Sequence, residues 1–149
     1  MDYCFNKNIP KSTENRIIIW PRGKTWVNGL SDKYDLKFPS VLSAYLKEDE
    51  YKRAIWNINQ TAEDFWPCPT CFCIGYCCCL CTLGLSFCCP YICITEAKRE
   101  IKRKIKHWNE TLFIRNGLRI ELEFGCSTSW LAIYIEEPPR QSEALLNPE

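Results

Sequence analysis

The chain has 149 residues, of which 46% are hydrophobic and 25% are charged. This length predicts a single domain, and the hydrophobic content is sufficient for a folded core, which argues against global disorder. With 19 basic and 18 acidic residues, the net charge of +1 excludes a globally basic protein that binds nucleic acid and an acidic tail protein, but it allows a local charged patch.

The N-terminal part predicts a flexible arm followed by a β-hairpin. Residues 1–15 are polar and contain no apolar run, so we expect no secretory leader. Two β-rich pieces follow at residues 17–20 and 25–27, and the turn-like residues 21–24 separate them. We therefore expect these two pieces to pair with each other.

Two amphipathic helices are predicted in the middle of the chain. The first has apolar residues at helical spacing from Tyr51 to Phe65, and residues 47–50 supply an acidic first turn. The second has its apolar stripe from Ala97 to Leu112 and ends at Asn116-Gly117, a pair that tolerates the left-handed conformation. Its other faces carry six basic side chains: Lys98, Arg99, Lys102, Arg103, Lys104 and Lys106.

Two further strands complete the predicted domain. Residues 118–124 alternate between apolar and charged side chains, whereas residues 130–135 are apolar on both faces, as expected of an interior strand. The predicted fold class is therefore α+β: a small antiparallel sheet of about four strands, two amphipathic helices, and an apolar cysteine-rich segment between them. We expect one domain over residues 16–138, with a tail at residues 139–149.

The cysteine content is the most unusual feature of the sequence. The chain contains 12 cysteines, and residues 65–95, which hold ten of them, include no charged side chain. These ten are Cys68, Cys71, Cys73, Cys77, Cys78, Cys79, Cys81, Cys88, Cys89 and Cys93. Adjacent cysteines in so short a run cannot all find disulfide partners of correct geometry, so we interpret the thiols as reduced and cytosolic.

Three interpretations of this segment are open besides lipidation. A membrane-spanning helix fits the length between Pro69 and Pro90, about 30 Å at about 1.5 Å per residue, but it would separate two predicted hairpins that are each marginal alone. Zinc fits the two pairs with thiolate spacing, Cys68 with Cys71 and Cys78 with Cys81, although the linker between the pairs is short for a zinc ribbon. Burial of cysteine as a small apolar residue explains one or two thiols rather than ten.

S-acylation accounts for the segment and for the helix that follows it. Cysteines in an apolar segment beside a basic amphipathic helix are typical acceptors for palmitate. Because one acyl chain gives only marginal membrane residence, a second signal is needed, and each Lys or Arg near an anionic leaflet contributes about 1 kcal/mol. We therefore expect covalent palmitate on this segment, anionic lipids of the cytosolic leaflet as binding partners, and no metal or other cofactor.

The same residues resemble a known family. Residues 67–84, which include the block Cys-Thr-Leu-Gly, and residues 90–93 resemble the cysteine-rich hydrophobic domain proteins, which belong with the golgin subfamily A member seven and Ras-palmitoyltransferase accessory-subunit family. Residues 29–34, 98–110 and 130–136 extend this similarity over most of the chain, roughly residues 16 to 138.

The resemblance implies a palmitoylated peripheral protein on the cytosolic face of Golgi, vesicle and plasma membranes. It also implies a non-catalytic subunit that binds a DHHC-type palmitoyltransferase, and it places the acylated Cys-x-x-Cys pair on Cys68 and Cys71. The alternatives are a palmitoylated trafficking protein without an enzyme partner and a zinc-binding module. The residues themselves offer no nucleophile–base pair, because the single histidine, His107, lies among lysines, so we expect no enzymatic activity.

Overall fold

The computed structural model describes residues 10–25, 29–66 and 88–136, without the side chains of residues 88–92. Two helices and three strands are present in these ranges. In chain order they are β1 (Arg16–Ile19), α1 (Glu48–Asp64), α2 (Cys88–Trp108), β2 (Leu118–Phe124) and β3 (Ser129–Ile135). Shorter helical turns lie at Ser40–Ala44, Asn109–Phe113 and Ile114–Asn116. The α+β class is therefore confirmed.

The sheet is antiparallel throughout, and its strand order is β1-β3-β2. The hairpin of β2 and β3 is confirmed, with Leu118 opposite Ile135 and Phe124 opposite Ser129. Strand β3 occupies the centre, as its apolar residues on both faces predicted. Gly117 precedes the hairpin at φ 72°, so the helical segment ends in the left-handed conformation that Asn116-Gly117 indicated.

The prediction that residues 17–20 pair with residues 25–27 is wrong, and the count of about four strands is not confirmed. One edge of β1 pairs with β3, and on the other edge the amide of Ile18 donates to Ser12 Oγ at 2.9 Å. Thr25 forms a bridge with Ser31 instead, while residues 26–28 lie outside the described ranges. Pairing with the central strand is favoured because it buries both faces of β1, which a two-stranded hairpin cannot do.

Both helices pack on one face of the sheet and enclose the main core. Helix α1 buries Tyr51, Ile55 and Ile58, and α2 buries Ala97, Ile101 and Ile105, as the helical spacing predicted. The sheet contributes alternate residues of each strand to the same cluster: Ile17, Ile19, Leu118, Ile120, Leu131 and Ile133. The opposite face of the sheet carries a smaller cluster around Ile18, Trp130 and Ala132.

Two buried tyrosines predict cooperative unfolding at alkaline pH. Tyr34 is 2% exposed and Tyr51 is 0% exposed. Burial disfavours the phenolate and raises the pKa of both hydroxyls well above the usual value of about 10. The folded protein therefore keeps protons that the unfolded chain releases, so this part of the stability is complete below pH of about 10 and is lost as the pH rises further.

We expect tyrosinate absorbance and loss of helical circular dichroism to appear in the same transition of an alkaline titration. Tyr51→Phe removes one of the ionisable hydroxyls and should move this transition to higher pH. Complete tyrosinate formation while the helical signal is unchanged would contradict the argument.

Candidate functional site

The structure places the predicted cysteines in three groups. The seven from Cys68 to Cys81 lie outside the described residues, so the predicted acyl and zinc sites there remain predictions. Cys88 and Cys89 open α2, and Cys93 is a half-buried free thiol on the same helix. Helix α2 therefore begins well before the apolar stripe that starts at Ala97, and it carries both cysteines and basic residues.

Neither a spanning helix nor a metal cluster is found in the described ranges. Across residues 10–25, 29–66 and 88–136, no helix combines the length and apolar character that crossing a bilayer requires. Within the same residues, no group of three His, Cys, Asp or Glu side chains is placed to hold a metal ion.

Helix α2 presents a strongly basic face on the side opposite the core. From Cys93 to Trp108 the helix has six basic and two acidic residues, a net charge of +4 with the histidine neutral. We call its outward cations the basic face. They are the exposed side chains of Arg99, Lys102, Arg103 and Lys106. Four of the six cations predicted to bind lipid therefore share one exposed surface.

Acidic neighbours on the helix partly neutralise the basic face. Arg99 forms an ion pair with Glu96 at 2.8 Å, and Arg103 forms one with Glu100 at 2.9 Å. The spacing of three residues between Glu96 and Arg99 is typical of an ion pair on a helix surface. Exposed pairs of this type are weak and screened by salt, so the guanidinium groups remain available to anionic headgroups.

The other two predicted cations lie at the margins of the helix. Lys98 is half-buried, and its Nζ lies 4.5 Å from the centre of the Phe124 ring, close enough for a cation–π contact. Lys104 lines a cleft between the helices together with Asp64 and Phe65. These two side chains therefore contact the fold as well as solvent.

The C-terminal half of α1 lies at the end of the sheet where β2 turns into β3. The Asn59 side chain accepts from the Tyr34 amide at 2.8 Å and donates to the Tyr34 carbonyl at 2.9 Å. The Tyr34 hydroxyl is 2.9 Å from Ser129 Oγ, at the first residue of β3. One turn further along α1, Glu63 forms an ion pair with Lys33 at 2.6 Å.

The N-terminal half of α2 lies at the same end. Lys98 contacts Phe124 at the end of β2, whereas Asn109 lies further from that end. The Asn109 side chain accepts from the Ile120 amide and donates to the Ile120 carbonyl, both at 2.8 Å. It therefore provides hydrogen-bond partners for Ile120 on the edge of β2 that does not pair with β3. Helix α2 therefore runs antiparallel to β2 and to α1.

We call this end the hairpin end, defined by the β2–β3 turn at residues 124–129. The first turns of α2 extend beyond this end, because Lys98 lies over Phe124 and the helix begins ten residues earlier at Cys88. The hairpin end also exposes the Phe124 ring at 36% and the free thiol of Cys126. Cys126 was not among the predicted site residues because it lies far from the cluster in sequence.

The opposite end of the fold carries the acidic first turn of α1, with cations close to it. The first turn of α1 carries Glu48, Asp49 and Glu50, and a cleft there is lined by Lys47, Glu48 and Asn116. The carboxylate of Glu50 accepts from the Lys47 amide at 3.2 Å, which caps the start of the helix.

Comparison with known proteins identifies one family. The family described as Golgin subfamily A member 7/ERF4 matches residues 5–123 of the chain. The match covers the first strand, both helices, most of β2 and the whole cysteine-rich segment. No solved structure matches the chain significantly.

Proposed function

The chain belongs to the Golgin subfamily A member 7/ERF4 family, which includes an accessory subunit of Ras palmitoyltransferase, and we propose that it is a non-catalytic adaptor for a DHHC-type palmitoyltransferase. In this proposal the protein is peripheral, S-palmitoylated on the cysteine-rich segment, and bound to the cytosolic face of Golgi, vesicle or plasma membranes. Anionic lipids of that leaflet bind its basic face.

One observation carries the peripheral attachment: the parts of the chain before and after the cysteine-rich segment form a single folded body. Strand β1 comes from before the segment and pairs with β3 from after it. Helices α1 and α2, also from opposite sides of the segment, share one hydrophobic core. A folded body cannot be divided by a bilayer, so both flanks of the segment lie on the same side of any membrane that the segment contacts.

Two signals at neighbouring positions support stable residence at that membrane. Palmitate on one cysteine alone gives marginal and reversible binding, whereas a second chain or a cationic patch makes binding stable. Cys93 and the basic face lie on one helix, and α2 begins directly at Cys88-Cys89. Cys93 continues the core-facing stripe of Ala97 and Ile101, so lipid chains and the cations of the opposite face would meet one leaflet at the start of α2.

We expect the full chain from cells to carry thioester-linked acyl groups that hydroxylamine removes. If the palmitate is on Cys68 and Cys71, the pair that the family resemblance implies, replacing both with serine leaves the basic face as the main signal and should lower the membrane-bound fraction about tenfold or more. Cys4→Ser is the matched control, since in sequence Cys4 lies outside both the cysteine-rich segment and the β2–β3 turn, and it should leave that fraction unchanged. Stoichiometric zinc without hydroxylamine-sensitive acylation would instead support the zinc-binding alternative.

The adaptor role has a separate test. We expect the chain to co-purify with a DHHC-type palmitoyltransferase in mild detergent and to prolong the lifetime of that enzyme in cells. If the chain is acylated and membrane-bound but has no such partner, the adaptor role is wrong, and the result supports the alternative of a palmitoylated trafficking protein.

A further inference from the structure

We propose that the folded body stands on the bilayer by its hairpin end, with the β2–β3 turn in the headgroup region, and does not lie flat along the basic face of α2. This inference rests on the membrane association proposed above and adds the orientation and the contact surface. The occupant of the surface is a lipid bilayer with anionic headgroups.

The position of the chain directly after the cysteine-rich segment supports this orientation. Lys98 lies over Phe124, and the backbone of α2 continues from Lys98 back to Cys88, which corresponds to about 15 Å of helix beyond this contact. The first turns of α2 therefore extend beyond the core on this side, so an acylated segment would hold the hairpin end closest to the lipid.

The exposed side chains at the hairpin end have the character of a membrane interface. Phe124 is an exposed aromatic residue, and Lys98 places its ammonium group over the Phe124 ring. Aromatic rings and long cationic side chains are both favoured at the boundary between headgroups and acyl chains. The turn itself, residues 125–128, contains only Gly, Cys, Ser and Thr, so its insertion would bury no charge.

The charge distribution favours the same end. The acidic first turn of α1 lies at the opposite end, where an anionic leaflet would repel it. Along α2 the basic face starts at Arg99, close to the hairpin end, and continues to Lys106. With about 1.5 Å of rise per residue, Lys106 lies about 10 Å further from the bilayer than Arg99 if the helix stands upright. That distance exceeds the Debye length of about 8 Å at physiological salt.

Standing upright therefore predicts unequal effects of two matched charge reversals. Arg99 and Lys106 share the exposed face, and each lies near an acidic neighbour, Glu96 and Glu110 respectively. We expect Arg99→Glu to weaken binding of the full chain to phosphatidylcholine–phosphatidylserine vesicles about tenfold or more, and Lys106→Glu to weaken it less than about threefold. Equal losses for the two variants would overturn the upright orientation in favour of a flat one.

A matched pair of apolar substitutions tests the turn. Phe124→Ser should reduce vesicle binding several-fold, whereas Ile114→Ser, at a residue that is 52% exposed near the opposite end, should leave it unchanged. Hydrogen exchange, measured on the acylated wild-type chain, provides a test that needs no substitution. Vesicles should slow amide exchange in residues 124–129 and leave residues 113–117 unaffected.

The outcomes separate this inference from the proposed function. A wild-type chain that carries its acyl groups and still does not bind vesicles would overturn both. Vesicle binding without protection of the β2–β3 turn would overturn only the orientation. Protection of the turn that requires added palmitoyltransferase would overturn the lipid contact and identify the hairpin end as a protein interface.

Discussion

Reversing Lys98, Arg99, Lys102 and Arg103 to glutamate should release the protein from membranes into the cytosol even while its cysteines remain acylated. The four substitutions change the net charge of α2 from Cys93 to Trp108 from +4 to −4. Fractionation of cells, with acylation measured on the same samples, gives the membrane-bound fraction and the lipid content together.

The size of the expected effect follows from the location of these cations. Each Lys or Arg near an anionic leaflet contributes about 1 kcal/mol, so the loss of four weakens binding by about 4 kcal/mol, or roughly a thousandfold. The pairs of Arg99 with Glu96 and Arg103 with Glu100 reduce this only slightly, because exposed ion pairs contribute less than about 1 kcal/mol each. Reversal also adds repulsion between the new carboxylates and the leaflet.

A control of equal charge change exists elsewhere on the surface. Four exposed basic residues away from the basic face can be replaced with glutamate together: Lys37, Lys47, Arg53 and Arg115. This control should remain on membranes, because the substitutions avoid α2. If the control is released to the same extent, net charge and not the basic face determines attachment. If the α2 variant stays on membranes, the electrostatic half of the proposal is wrong.

The elements that were predicted correctly are those whose side chains repeat along the chain. The spacing of Tyr51, Ile55 and Ile58 predicted the buried face of α1, and the alternation in residues 118–124 predicted β2. The interior position of β3 followed from its apolar residues on both faces. In each case the burial of the element depends on its own period, which the sequence contains.

The features that were not predicted depend on contacts between distant residues. Ile17, Ile18 and Ile19 are equally suitable for a local hairpin and for pairing with β3, and only the complete sheet decides between these partners. The same limit applies to the hairpin end, because Phe124 meets Lys98 of α2 only through tertiary packing. The sequence identified the six basic residues of α2. It did not show which four are exposed and which two lysines contact the rest of the fold, because that depends on how the helix packs.

Long-range polar contacts hold the loop before α1 in place. Asn59 is 8% exposed and bonds to both backbone groups of Tyr34. Ser129 Oγ accepts from the Ser31 amide at 3.0 Å, and Gly29 approaches Thr128 at a positive φ of 84°. Residues 29–34, which carry part of the family resemblance, are thereby fixed between α1 and the start of β3.

Replacing Asn59 with alanine should lower the free energy of unfolding by about 2–4 kcal/mol, because it leaves two backbone groups of buried Tyr34 without partners at about 1–3 kcal/mol each. The matched control is Asn57→Ala on the same helix, where a half-buried amide donates only to the Arg53 carbonyl at 2.8 Å. That change should alter the free energy of unfolding by less than about 0.5 kcal/mol, since alanine favours the helix. Denaturant unfolding of the full chain, followed by circular dichroism, measures both variants. Equal losses would mean that water replaces the Asn59 amide, and the loop would then be held by Ser129 and its own packing.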